Sequence, residues 1–146
     1  MTTTDRDRDD DGRAKQARPR DALGRPLPYG AVGVEPVSEE PLPPLETLTA
    51  ARALLDDGRP FSAHEVLEAR WKDCPEPERP LWQGLAQLCV GVTHARRGNP
   101  TGARRLLDRA TTHLTAYAGT GGPTYGLDLD EVLDRARRCV ETAVPE

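Results

Sequence analysis

Apolar residues recur at three- and four-residue steps from Pro44 onward and at no regular step before it. Leu45, Leu48, Ala51 and Leu55 predict an amphipathic helix over about 44–57, stopped at Asp57-Gly58 because glycine takes the left-handed conformation at little cost. Phe61-Ser62-Ala63-His64-Glu65-Val66 then reads as a helix start. Ser62 is placed to cap, Glu65 to reach back to the cap amide, and Phe61 to pack on Val66, so a second helix is expected from Ser62 to about Lys72. A third, about 79–97, has no Asp, Glu, Lys or Arg between Arg79 and Arg96 and is apolar round most of its circumference, as a central helix must be. Gly84 and Gly91 on it would admit a close neighbour.

Arg97-Gly98-Asn99-Pro100 supplies a glycine stop, an Asn cap and a proline at the first helical position, so helices three and four turn a tight corner. Helix four, about 100–118, carries Ala103, Leu106, Leu107, Ala110, Leu114 and Tyr117 on one stripe. A linker, GTGGPTYG, leads to helix five, which starts at Asp128 and is expected to bury Leu129, Val132, Ala136 and Val140. No alternating pattern suggests a strand, so the class is all-α: a compact array of about five helices over 44–144. Residues 1–43, acidic and proline-rich, are expected to be a largely disordered extension, with Leu23, Leu27 and Tyr29 the apolar residues available to dock it.

The candidate chemistry lies on helix two. His64, Glu68 and Trp71 share one face at steps of four and three residues, and Gln83, Gln87 and His94 share a stripe on helix three. In an antiparallel pair closed by DCPEPE, Trp71 would lie near Leu81, Glu68 near Gly84 and His64 near Gln87 or Leu88, placing His64, Glu65, Glu68, Trp71, Gln83 and Gln87 in one polar cluster. Enclosed polar groups are costly unless bonded, so the cluster is either a satisfied brace or a site. The brace has Glu68 bonded to the Trp71 indole or the Gln87 amide, and Glu65 occupied as a capping residue. The site reading has His64 and Glu68 share a divalent metal, with His94 as a further ligand. A zinc-protease motif fails at residue 68, where Glu replaces the second His.

The run AHEVLEARWKDCPEPERPLWQGLAQLCVGVTHARRGNPTGARRLL resembles the domain of unknown function 309 family, through His64, Glu65, Glu68, Trp71, Gln83, Gly84, Leu85, Gln87, Gly98, Asn99, Gly102 and Ala103. The resemblance spans about 60–108 and implies a small all-helical domain of bacterial type; it implies no reaction. A binding or scaffold module is therefore the leading expectation, and a metal-binding protein or metal-dependent hydrolase using His64 and Glu68 the alternative.

Charge and cysteines restrict the remaining classes. Lys and Arg number 20 against 24 Asp and Glu in 146 residues, a net charge of −4, so no global basic field draws nucleic acid or anionic lipid. Arg96, Arg97, Arg104, Arg105 and Arg109 form a local basic group without interleaved aromatic residues, which reads as a solvated face rather than a nucleic-acid surface. Cys74, Cys89 and Cys139 have no C-x-x-C spacing, which fits reduced thiols. No membrane-spanning run is present and the N-terminus has no apolar leader, so a cytoplasmic protein is expected; partners, including a second copy, are open.

Overall fold

The structure is a computed structural model and describes residues 19–28 and 30–143. Among these lie five α-helices, α1 (Pro44–Asp56), α2 (Pro60–Asp73), α3 (Arg79–Arg96), α4 (Pro100–Thr120) and α5 (Leu129–Ala143), with one 3-10 turn at Glu76–Glu78. The class is all-α, as the periodicity implies. Tyr29 and the first eighteen residues lie outside the described residues.

The central helix is α3, which packs on α2, α4 and α5, while α1 packs on α2. Trp82 and Leu81 are wholly enclosed, with Leu85, Leu88 and Cys89 nearly so. The closest approach is to α4 and is set by glycine. A Cβ at Gly84 would stand 2.7 Å from a carbon of Leu114, itself fully buried, and one at Gly91 would stand 3.4 Å from the Ala103 carbonyl. Both glycines therefore face α4. The corner between these helices follows the sequence: Gly98 takes φ +80, and the Asn99 side chain accepts the Gly102 amide at 3.0 Å.

One helix start and two buried stripes differ from expectation. Helix α2 begins at Pro60, a residue suited to the first helical position, and has no side-chain cap because Arg59 before it carries no acceptor. Ser62 is thus inside the first turn, buried, with its hydroxyl bonded by the Arg59 guanidinium at 3.2 Å, and Phe61 packs against His64 and Gly24. In α1, the fully buried residue is Thr47, whose hydroxyl donates to the carbonyls of Leu42 and Pro43. Leu45, expected on the core stripe, is 64% exposed. On α5 the buried stripe is Leu129, Leu133, Ala136 and Val140, with Val132 only half-buried.

The segment 19–35 lies against the α2 start and the α3 end. Gly24, at φ +76, rests on the Phe61 ring so closely that any Cβ would overlap it, Arg97 donates to the Leu23 carbonyl, and Arg59 donates to the Glu35 carbonyl. Arg20 and Arg97 each stand 5.9 Å from the Phe61 centroid.

Replacing Gly84 by Ala sets a helix-propensity gain of about 1 kcal/mol against overpacking costs of roughly 1–3 kcal/mol. Because Leu114 has no free space, Gly84→Ala is expected to lower the urea midpoint, whereas Gly119→Ala, also within a helix but with nothing within 4 Å, should raise it. Equal shifts of the same sign would show that the α3–α4 spacing is not set by this contact.

Candidate functional site

Helix α2 presents His64 and Glu68 on one face, as their spacing requires. The imidazole Nε2 lies 2.9 Å from one carboxylate oxygen of Glu68, the other oxygen accepts Lys72 Nζ at 2.9 Å, and His64 Nδ1 lies 3.1 Å from the Phe61 carbonyl. Burial pushes the Glu68 carboxyl upward, but Lys72 and His64 outweigh it and hold the group below its ordinary value. With 37% of its side chain exposed, Glu68 sits at the edge of the fold rather than in an enclosed pocket.

The other expected members go elsewhere. Gln87 bonds across to α4, its Oε1 lying 2.8 Å from Nδ1 of the half-buried His113, and the anticipated bond to Glu68 does not form. The reason is the rotation of α3: Gly84, Gln87 and Gly91 lie on one face, and the glycines turn that face to α4. Trp71 is half-buried and packs on the core with its indole N–H unpartnered, while Arg79 stands 5.5 Å over its ring, so Glu68 does not bond it. Gln83 is half-buried. His94 pairs with the Asn99 amide at 3.2 Å, at the α3–α4 corner. Among the described residues no group of three or more His, Cys, Asp and Glu side chains could hold a metal ion, so His64, Glu68 and His94 do not gather into a ligand set.

Glu65 does not cap. It is half-buried beside the docked segment, and burial raises its carboxyl above the ordinary value although His64, Arg20 and Arg59 pull it down.

The enclosed polar node is one that the periodicity does not single out. Glu78, only 8% exposed, accepts the Trp82 indole N–H at 3.1 Å and the Tyr125 hydroxyl at 2.7 Å on one oxygen, and Arg70 lies 3.8 Å from the same atom. Arg70 also stacks 5.3 Å over Trp82. The node joins α2, the 3-10 turn, α3 and the α4–α5 linker, and holds Tyr125 at φ +53, a conformation unusual for a residue with a side chain. The only sequence signal for it is the four-residue step from Glu78 to Trp82.

A groove of about 510 Å³ opens between α1 and α5 above α3. Its α1 wall contains Leu45, Leu48, Ala51 and Leu55, the stripe that periodicity assigns to the core. Its floor includes Leu85, Leu88 and Val92 of α3, and Val132 and Ala136 form part of the α5 wall. Cys89 also lines it but is almost wholly enclosed, and burial pushes its thiol up to about 12, so it contributes packing rather than nucleophilicity.

Fold and site together define a small all-α domain with an apolar groove and two separate polar nodes. Residues 48–106 match the family model described as Domain of unknown function (DUF309), and this stretch of the chain is similar to that family. The uncharacterized protein YpuF of Bacillus subtilis (strain 168) is 42% identical over 57 residues, covering 38% of this chain and 33% of the relative. The chain thus spans about a third of the length of the curated relative it matches. No solved structure matches. No helix among the described residues is long and apolar enough to cross a membrane.

Two outcomes follow from the polar nodes. Glu78→Ala would leave a buried indole N–H, a hydroxyl and a guanidinium without their acceptor and is expected to cost about 3 kcal/mol in urea denaturation; Glu78→Gln, which keeps an acceptor oxygen, should cost less. A Glu78→Ala loss no larger than that of an exposed residue would refute the node. For Glu65 the folded-state pKa is raised, so its stabilising contribution is complete below the ordinary carboxylate range and is lost as pH rises through the raised value. At pH 7 the carboxylate is therefore a cost, and Glu65→Gln should have the higher urea midpoint, the difference closing as pH approaches about 4. Glu68 acts in the opposite sense but is common to both proteins and cancels. A difference independent of pH would show that ionisation of Glu65 is not its origin.

Proposed function

We propose that this domain is a non-enzymatic binding module whose working surface is the groove between α1 and α5. The supporting observation is the apolar stripe of α1. Leu45, Leu48, Ala51 and Leu55 recur with core periodicity, yet Leu45 and Leu55 stand exposed and open onto the groove, as lining rather than core. Apolar concavities of this size, formed in advance between packed helices, are the usual form of a binding site. In the same reading the His64–Glu68–Lys72 array stabilises α2 through pairs one turn apart and reacts with nothing.

The alternative, a metal-binding protein or metal-dependent hydrolase using His64 and Glu68, has less support. Its two donors face each other at 2.9 Å, and no third donor of the described residues joins them.

Nile red, an uncharged dye that brightens in apolar surroundings, is expected to bind the native protein saturably and at one site. Leu45→Asp with Leu55→Asp, both at exposed positions that folding tolerates, should abolish that binding while leaving the helical circular dichroism unchanged. Dye binding that is unaffected by this pair, or absent from the native protein, would overturn the reading.

A further inference from the structure

The floor and the rim of the groove differ in chemistry, and that difference identifies a ligand class. Its floor side chains, Leu67, Leu85, Leu88 and Val92, offer no hydrogen bond. Its rim carries three guanidinium groups, from Arg52, Arg96 and Arg135, against one carboxylate, from Asp56. This local excess of positive charge stands on a chain whose net charge is −4, so it is not a sample of the average surface. The groove also continues into a second hollow of about 360 Å³, lined by Arg96, Arg135, Arg138, Cys139 and Thr142. Arg96, Arg135 and Cys139 belong to both hollows and form the junction between them.

None of Arg52, Arg96, Arg135 and Arg138 makes an ion pair with a carboxylate among the described residues, whereas Arg25, Arg70 and Arg137 all do. An apolar floor is thus bordered by guanidinium groups that have no carboxylate partner among the described residues. Guanidinium forks match carboxylates in shape as well as charge, and a volume of about 510 Å³ lies within the range of small-molecule sites.

Resting on the binding-module reading, we propose that the groove takes a single-chain anionic amphiphile, a long-chain carboxylate. Its alkyl chain lies along the α3 floor and its carboxylate sits between Arg96 and Arg135. Arg96 lies within residues 48–106 while Arg135 and Arg138 lie on α5, outside them, so the headgroup end of this site is only partly contained in the matched span. The recognition is non-covalent and needs no co-reactant.

The experiment titrates the intact protein with laurate below its critical micelle concentration, and in parallel with monolaurin, its uncharged counterpart, each read by displacement of Nile red. Laurate is expected to bind at one equivalent and about tenfold or more tightly than monolaurin, the order that one charge-assisted hydrogen bond supplies. Arg96→Gln with Arg135→Gln, both exposed, should erase that preference while leaving Nile red binding intact. A second readout uses the junction thiol: laurate should slow alkylation of Cys139 by iodoacetamide, with the modified site assigned by mass spectrometry.

If laurate and monolaurin bind alike and the double variant changes neither, the carboxylate assignment fails while the groove remains a binding site. One-equivalent laurate binding that leaves Cys139 equally reactive also overturns the assignment, because the ligand then lies elsewhere. If Nile red itself finds no site, the binding-module reading fails with it. Concentration-dependent dimerisation in sedimentation, without laurate binding, would assign the groove to a second copy of the chain and equally overturn the proposal.

Discussion

The whole arrangement follows from α3 having no charged side chain between Arg79 and Arg96. A helix that is apolar nearly all round must be covered nearly all round, and burial at roughly 25 cal/mol per Å² makes each uncovered face costly. Helix α4 covers one face at the closest range, because Gly84 and Gly91 have no Cβ to hold it off. Helix α2 covers a second, with Ala63 and Leu67 in the shared core. Helix α5 covers a third with Leu129, Leu133 and Ala136. Helix α1 packs on α2 and does not close against α5, so the last strip of α3 remains a floor with two walls.

Polar groups are placed by the same demand. Glu78 is the one buried carboxylate among the described residues, and it is matched by two neutral donors and a guanidinium, which is how a buried charge is tolerated. Its position where α2, α3 and the α4–α5 linker meet lets a single oxygen fix three segments. His64 and Glu68 have no comparable constraint. They pair with each other and with Lys72 on one helix, at the edge of the fold, where such pairs contribute about 0.3–0.5 kcal/mol. Arg97 and Arg59 hold the stretch before α1 by donating to the Leu23 and Glu35 carbonyls, while Gly24 and Arg20 of that stretch meet the Phe61 ring.

Local signals are legible in the sequence at several single-residue backbone events, though not at the α2 start, where Pro60 rather than Ser62 opens the helix. Gly98 with Asn99 and Pro100 produces the corner, Gly58 ends α1 at φ +72, and Asp128 accepts the Glu131 amide at 3.2 Å as a helix cap. The candidate site is less legible because it depends on how α3 is rotated. On a helix apolar all round, a period of 3.6 residues cannot say which strip meets which neighbour, and the pattern thereby assigns Gln87 to α2 when it faces α4. The glycines on that strip already hold the answer, since a close approach needs them on the facing side. Glu78 is obscured for a different reason: it lies in a proline-rich turn, where charge ordinarily means solvent, and Tyr125, one of its partners, is 47 residues away.

The stripe on α1 carries the more general lesson. Periodicity reports which residues avoid water, and it cannot distinguish a partner within the chain from one outside it. Thr47, polar and wholly enclosed by virtue of two carbonyl acceptors, and Leu45, apolar and 64% exposed, reverse the assignment that hydropathy alone would make. A leucine left open at the mouth of a groove whose floor is Leu88 and Val92 is poorly placed if the chain is considered alone. It is well placed if the groove is filled. The arginines at the opposite wall follow the same logic, because among the described residues Arg25 and Arg137 pair with carboxylates whereas Arg135 and Arg138 do not. Apolar lining without cover and a rim with an excess of cationic groups thus converge on one occupant that would satisfy both.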